Sequence, residues 1–277
     1  FLAFDPREDR RGRTLEARVR IASAIELEWL EELFPMAIRR EREVVFDEAR
    51  GRAVARNRLL YRDLVLREDT HGAVEPEEAS AALARALSRR ASEFVREDEA
   101  AASWLTRLEC LRDWIPEAGL PAFTENDLTE ILANACKSKR TVEEVRKVPL
   151  LPLLKSRLSH SQVRLLDEQA PEAITVPSGS RIRLQYERGR PPVLAVRLQE
   201  LFGWTDTPRV AGGRVPVVLH LLGPNFRPVQ ITEDLRSFWT TTYFQVRKDL
   251  RARYPRHSWP EDPWTARPEA KGGRGRG

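Results

Sequence analysis

The chain has 277 residues, with 47 Lys and Arg against 42 Asp and Glu, and hydrophobic residues make up 41% of it. This length predicts two or three domains, and the apolar fraction is high enough for packed cores. No apolar run approaches the roughly 20 residues that span a bilayer, so we expect no membrane partner. Cys110 and Cys136 lie far apart and form no CxxC pair. Free thiols in a reducing cytoplasm are therefore expected.

Residues 1–72 show the pattern of a mostly β domain. Apolar and charged residues alternate from Leu15 to Ile21, which is the period of a half-buried strand. Further predicted elements are a short helix over 25–34, hairpin arms over 43–46 and 52–60, and a strand over 61–66. About five strands with one helix between them are typical of an OB-like β-barrel.

Residues 73–170 are predicted to be a helical connector. Pro76 suits the first turn of a helix, and two acidic residues follow it there. Thr124 with Asp127 resembles a capping box, and Thr141 with Glu144 repeats the pattern. The last helix of this region is expected over 159–169.

Residues 171–264 are predicted to form a compact α/β domain, which makes the whole chain α+β. The sequence PSGS at 177–180 lies between two apolar stretches and is a strong hairpin signal. Other elements expected here are a short helix over 193–202, strands over 215–222 and 226–231, and a helix capped by Thr232 that ends before Pro255. The rest, residues 265–277, ends in KGGRGRG and is predicted to be a disordered basic tail.

Positive charge is concentrated towards the end of the chain. Residues 171–277 contain 18 Lys and Arg against 10 Asp and Glu, a net +8, whereas residues 1–170 have 29 against 32, a net −3. Such asymmetry indicates an anionic partner. Nearly all of the cations are Arg, which binds phosphate through two parallel hydrogen bonds. A GC-rich genome, which favours Arg codons everywhere, is the alternative explanation.

Two groups of arginines are candidate nucleic-acid contacts. The first group is evenly spaced on a predicted strand, as on an OB surface that tracks a single strand; a solvated edge strand is the alternative. The second group lies in the basic C-terminal part, where two of its members are one helical turn apart. The candidate binding residues are Arg52, Arg56, Arg58, Arg181, Arg183, Arg247 and Arg251.

Motifs for catalysis are absent from the sequence. There is no GxxxxGK[ST] phosphate loop, no DExH-type motif, and no GxGxxG, HExxH or GxSxG. The four histidines are scattered without metal-ligand spacing. We therefore predict no catalytic residue, no metal ligand and no cofactor in this chain, and we consider an independent enzyme with an unfamiliar site the least favoured class.

Five blocks of the C-terminal part resemble one known family. They are PSGSRIRLQY (177–186), GRPPVLAVRLQELFGW (189–204), RVAGGRVPVVLHLL (209–222), RPVQITEDLRSFW (227–239) and VRKDLRARYPRHSWPEDPW (246–264). In sequence, order and spacing they are similar to the C-terminal domain of HrpB-type ATP-dependent RNA helicases, a DEAH family. The match covers about residues 166–264. The preceding β and helical sections resemble the family by order and character alone.

The resemblance implies a parent protein that uses ATP and Mg²⁺ in two RecA-like domains and binds RNA. Those motor domains would be partners within the same polypeptide, and the chain alone would be inactive. The expected role is to hold single-stranded RNA and to support the motor. The alternative is a protein-protein interaction module without an RNA role, in which Trp239, Trp259 and Trp264 are the anchors.

Overall fold

The computed structural model describes residues 2–11 and 14–270. The strands are β1 (Leu2–Arg11), β2 (Thr14–Ser23), β3 (Ile38–Asp47), β4 (Arg52–Tyr61), β5 (Leu64–Asp69), β6 (Ala173–Thr175), β7 (Arg181–Gln185), β8 (Val193–Arg197), β9 (Arg209–Val210), β10 (Val215–Pro216), β11 (Val218–Leu222) and β12 (Pro228–Thr232). The helices are α1 (Leu27–Leu33), α2 (Pro76–Ser88), α3 (Ala91–Glu97), α4 (Glu99–Trp114), α5 (Glu125–Ala135), α6 (Val142–Arg146), α7 (Leu150–Lys155), α8 (His160–Gln169), α9 (Leu235–Ser237) and α10 (Tyr243–Arg253). Of the predicted disordered tail, residues 271–277 lie outside the described residues.

The chain divides into two compact units. Unit 1 comprises Phe1–Arg89 and Ala133–Lys147, and unit 2 comprises Arg90–Leu132 and Val148–Gly277. The described helices include none that is long and apolar enough to cross a membrane.

Unit 1 is built on the antiparallel sheet β3-β4-β5, with β1 and β2 forming a separate antiparallel hairpin. Helix α2 packs on β3 and β4 and buries Leu83 and Leu87. The Arg42 guanidinium on β3 donates two hydrogen bonds of 2.7 and 2.9 Å to Glu78 of α2, and this ion pair reinforces the contact. Within residues 2–11 and 14–270 the strands of unit 1 close no barrel, because β1 and β2 pair only with each other. The mixed α+β class is confirmed and the OB-like barrel is not.

The helical part of unit 2 packs around α4. This helix buries Trp104, Leu108 and Leu111 on one face, at the spacing of successive turns. The side chain of Asp98 caps the helix by accepting a hydrogen bond from the Ala101 N–H at 3.1 Å. The second carboxylate oxygen of Asp98 accepts the Leu150 N–H, also at 3.1 Å, at the start of α7. One capping residue therefore holds the ends of two helices together.

The second half of unit 2 is a five-stranded sheet in the order β12-β11-β8-β7-β6. Strand β8 pairs parallel with β11, and the other neighbours are antiparallel. The prediction of a helix over 193–202 is wrong for its first half, since Val193–Arg197 is this central strand. Its burial alternates, with Leu194 and Val196 buried and their neighbours partly exposed, so one face of the strand packs on the core.

An aromatic cluster attaches the C-terminal helix to the sheet. Phe202, Phe238, Trp239 and Tyr243 are buried, and the rings of Trp239 and Tyr243 meet edge to face at 5.2 Å between centroids. The helical segment contains a π-helical stretch, Phe238–Thr242, between α9 and α10. Its N-cap is Asp234, whose carboxylate accepts the N–H of the third helical residue at 2.9 Å, so the prediction of Thr232 as the cap is wrong by two residues.

Candidate nucleic-acid interface

Two of the three predicted arginines of β4 are neutralised by neighbouring glutamates. Arg58 Nε lies 2.7 Å from Glu68 on β5, and its guanidinium also approaches Glu43 on β3 at 3.6 Å. Arg56 lies 3.4 Å from Glu43 and 3.8 Å from Glu68. Two cations and two carboxylates thus form one network with no net charge. The hydrogen bond that Arg58 donates to Glu68 also raises the pKa of Arg58, which keeps this guanidinium charged.

Arg52 differs from its two neighbours on the strand. It lies at the start of β4, opposite Asp47 in the register, and it is exposed. Within the part of the chain that the structure describes, no carboxylate lies within 4 Å of its guanidinium. Arg52 is therefore the member of this group that offers an uncompensated positive charge.

Arg181 and Arg183 extend from the same face of β7, because residues two apart on a strand point the same way. Arg183 donates hydrogen bonds of 2.6 and 3.0 Å to Glu172, and this pairing lowers the pKa of the Glu172 carboxyl. For Arg181, by contrast, the described residues provide no carboxylate within 4 Å. The fold therefore brings Arg181 and Arg183 together, and the charge of Arg181 is not neutralised by a direct ion pair.

This face of β7 forms one wall of a pocket of about 310 Å³ within unit 2. Helices α4 and α7, the end of α8 and the following residues form the other walls. The lining residues are Ala100, Ser103, Trp104, Arg107, Leu151, Lys155, Asp167, Pro171, Glu172, Arg181 and Arg183. Four of these side chains are cations and two are carboxylates, so the pocket is electropositive.

Arg107 and Lys155 are pocket residues that the sequence prediction missed. The Arg107 side chain is only 6% exposed, and its Nε donates to the Ala170 carbonyl while a terminal nitrogen donates to Asp167, both at 2.8 Å. The sequence does contain a pattern that predicts the burial of Arg107, because this residue lies three positions after Trp104 on the apolar face of α4. A charged residue on an apolar helix stripe must find a partner inside the fold.

The predicted pair Arg247 and Arg251 on α10 does not act as one surface. Arg247 is 17% exposed, and its guanidinium donates to the Trp259 carbonyl at 2.8 Å and to Glu261 at 3.1 Å. It holds the segment after the helix against α10. Arg251 is exposed, and among the described residues no carboxylate lies within 4 Å of it. Only Arg251 is placed to meet an external anion.

The tryptophans considered as partner anchors belong largely to the core of unit 2. Trp239 has no exposed surface and donates its indole N–H to the Trp204 carbonyl at 2.9 Å. Trp259 is 7% exposed and donates to the Tyr254 carbonyl at 2.9 Å. Trp264 is half-buried. Trp239 and Trp259 could contact a partner only if each left the core and broke the hydrogen bond that its indole N–H donates.

Metal and thiol chemistry have no support in the described part of the chain. Residues 2–11 and 14–270 contain no group of three His, Cys, Asp or Glu side chains that could hold a metal ion. Cys110 and Cys136 are buried free thiols, and burial raises the pKa of each to about 11. Thiols with such a pKa are poor nucleophiles at neutral pH.

Comparison with known proteins relates the chain to one family of helicases. Residues 131–263 match the family described as ATP-dependent helicase C-terminal, HrpB_C. The chain is 32% identical to the ATP-dependent RNA helicase HrpB of Escherichia coli (strain K12) over 257 residues, covering 91% of this chain and 32% of that protein.

Two solved structures have a similar fold. The chain matches the crystal structure of the E. coli DExH-box NTPase HrpB with a TM-score of 0.68 and 32% identity, over 91% of this chain and 32% of that one. A second match, the Escherichia coli DEAH/RHA helicase HrpB, has a TM-score of 0.60 and 31% identity, over 80% of this chain and 29% of that one. The chain thus spans about a third of the length of the relatives it matches.

Proposed function

We propose that this chain, which belongs to the HrpB-type family of ATP-dependent helicases as a C-terminal part, is an accessory region that holds single-stranded RNA. The observation that carries the proposal is the set of exposed, uncompensated guanidinium groups of Arg181 and Arg251 in unit 2. Cations of this kind displace counterions from phosphates, which is the main source of sequence-independent binding. Arg52 adds a similar group in unit 1.

The ATP chemistry of the family is assigned to the rest of the polypeptide. The sequence contains no phosphate loop and no DExH motif, so ATP and Mg²⁺ would be bound by RecA-like motor domains elsewhere in the parent protein. The accessory region would keep RNA close to that motor and support its geometry. The buried free thiols fit a cytoplasmic location for the parent.

Apolar side chains on unit 1 support a docking role beside RNA binding. Leu33, Met36 and Leu64 are 70%, 98% and 63% exposed. They lie beside the contact of the Phe34 and Tyr61 rings, 5.8 Å apart, and Tyr61 pairs with Leu64 in the sheet. A contiguous exposed apolar patch is typical of a protein contact. We propose the RecA-like motor of the same polypeptide as the occupant. A protein-interaction role therefore rests on these residues and not on Trp239 or Trp259.

The test is a titration of the full chain with a fluorescently labelled 12-nucleotide oligouridylate, read by anisotropy at several salt concentrations. We expect binding that weakens linearly in a log–log plot against salt, with a slope of about −0.7 for each phosphate contact. A chain that is folded by circular dichroism and yet gives no anisotropy change at 50 mM salt would refute the RNA role. Saturable binding of the separately expressed motor region, unaffected by RNA, would then support the docking role alone.

A further inference from the structure

The pocket between α4, α7 and β7 has an excess of positive charge. Its two carboxylates are already paired, Asp167 with Arg107 at 2.8 Å and Glu172 with Arg183 at 2.6 Å. The other two cations of the pocket, Lys155 and Arg181, have no carboxylate within 4 Å among the described residues. The lining residues therefore have a formal excess of about two positive charges, which Glu99 at the rim, 3.9 Å from Arg183, partly offsets. Low-dielectric walls strengthen the remaining field.

Two of the four cations of the pocket, Arg107 and Arg183, are held in place by hydrogen bonds before any ligand arrives. Arg107 is buried and fixed by two hydrogen bonds, to the Ala170 carbonyl and to Asp167. Arg181 and Arg183 extend from β7, which is hydrogen-bonded to β6 on one side and to β8 on the other. The backbone that carries Arg181 is therefore ordered before binding, which lowers the conformational entropy lost when its guanidinium contacts a ligand.

The lining of the pocket fits a phosphate of a nucleic-acid backbone better than a base. Its volume of about 310 Å³ is at the small end of ligand sites. The aromatic residue of its wall, Trp104, is only 2% exposed and offers no face for stacking. The guanidinium of Arg181 can bind two phosphate oxygens at once. Because Arg181 and Arg183 are exposed to solvent, the rest of a nucleotide chain can continue past them.

We propose that this pocket is a phosphate subsite for single-stranded RNA, in which Lys155 and Arg181 contact one or two backbone phosphates without reading the base. The proposal rests on the proposed RNA role and names the place in unit 2 where RNA is held. Arg107 and Arg183 are positioning residues that keep the two pocket carboxylates neutralised. Recognition at this subsite is therefore insensitive to base sequence.

The test compares Lys155→Gln/Arg181→Gln with the charge-matched control Arg227→Gln/Arg256→Gln in the full chain. Arg227 and Arg256 are exposed, lie outside the pocket and, like Lys155 and Arg181, have no carboxylate within 4 Å among the described residues. With the labelled oligouridylate, the pocket variant should flatten the log–log salt slope by about 1.4, which lowers affinity about 25-fold at 0.1 M salt if affinity at 1 M is unchanged. The control should change the slope by less than half as much, and an oligoadenylate should give the same contrast.

A second measurement keeps the proposal testable if the pocket variant loses stability. The indole N–H of Trp104 lies in the pocket wall and has no hydrogen-bond acceptor among the described residues. Its NMR signal, assigned with Trp104→Phe, should shift when the unlabelled oligouridylate is added to the wild-type chain. An unmoved Trp104 signal at saturation, or equal slopes for the wild-type and pocket-variant chains, overturns the subsite while leaving RNA binding intact. Absence of RNA binding by the wild-type chain overturns the proposed function as well.

Discussion

The Nε atom of Arg58 on β4 lies 2.7 Å from Oε2 of Glu68 on β5, opposite it in the sheet register. This ion pair limits what the arginine face of β4 can offer to RNA. Arg56 belongs to the same network through Glu43 and Glu68. An exposed pair of this kind contributes little to stability, but it sets the local charge to zero.

We predict that Glu43→Gln/Glu68→Gln strengthens binding of single-stranded RNA. The substitution keeps the shape of both side chains and releases Arg56 and Arg58 for phosphate. The log–log salt slope should steepen by up to about 1.4, measured by anisotropy on the full chain. The control Glu48→Gln/Glu77→Gln removes the same charge at exposed positions. Equal slopes for the two variants would assign Arg56 and Arg58 to a solvated strand surface.

Arg52 provides the complementary prediction. Since its guanidinium is exposed and the described residues place no carboxylate near it, Arg52→Ala should flatten the slope by about 0.7. The free energy of unfolding should change by less than about 0.5 kcal/mol, as expected for a surface position. Chemical denaturation and RNA titration of the same sample measure both quantities. If the salt slope of Arg52→Ala equalled that of the wild-type chain, β4 would not belong to the proposed RNA interface.

The buried thiols give a pH dependence that needs no ligand. Burial raises the pKa of Cys110 and of Cys136 to about 11, whereas an unfolded cysteine titrates near 8.5. The unfolded chain therefore loses these protons first, and folding stability decreases as pH rises from about 8.5 towards 11. The loss is at most about 1.4 kcal/mol per pH unit for each thiol.

Urea denaturation between pH 7.5 and 9.0 measures this effect, because tyrosines of the unfolded chain, with a pKa near 10, are still mostly protonated in this range. Cys110→Ala/Cys136→Ala should show a smaller loss of stability over the same range. In the wild-type chain both thiols should react with a disulfide reagent at pH 8 only after unfolding. Fast reaction of either thiol in the folded chain would contradict the burial that underlies the prediction.

Features fixed by neighbouring residues could be predicted from the sequence. The PSGS turn joins β6 and β7 as expected, and Gly179 there has a positive φ of 85° that glycine adopts without strain. The Thr124–Asp127 capping pair also forms, with hydrogen bonds of 2.7 and 3.3 Å. Such signals depend on a few adjacent side chains, and distant parts of the chain hardly change them.

Features that depend on residues distant in the sequence could not be predicted from the sequence alone. The apolar run VLAV at 193–196 fits a buried strand or a buried helix equally well by periodicity, and its strand state follows from pairing with β11, about 25 residues later. Arg56 and Arg58 have the expected even spacing, but the register that places them between Glu43 and Glu68 is set by β3 and β5. Charge counting along the sequence therefore overestimates the free charge of β4.

Helix α10 has two arginines one turn apart, Arg247 and Arg251, and we expect one to stabilise the fold and the other to contact RNA. Arg247→Ala removes two hydrogen bonds, to the Trp259 carbonyl and to Glu261, from a guanidinium that is 17% exposed. A hydrogen bond to a charged group contributes about 1.5–3 kcal/mol in general. Because Glu261 is exposed to solvent, we expect the free energy of unfolding to decrease by an amount near the lower end of this range. The RNA salt slope should stay unchanged, because this cation faces the protein's own backbone.

Arg251→Ala should show the reverse result. Arg251 is exposed, and no carboxylate lies within 4 Å of it in the described part of the chain, so its loss should leave stability within about 0.5 kcal/mol. The RNA salt slope should flatten by about 0.7. Denaturation and anisotropy on both variants test the pair, since the two residues share a helix and differ only in what their guanidinium groups contact. If Arg247→Ala flattened the slope and kept its stability, the segment 259–261 would have to release this arginine to RNA, and the structural role assigned to it would be wrong.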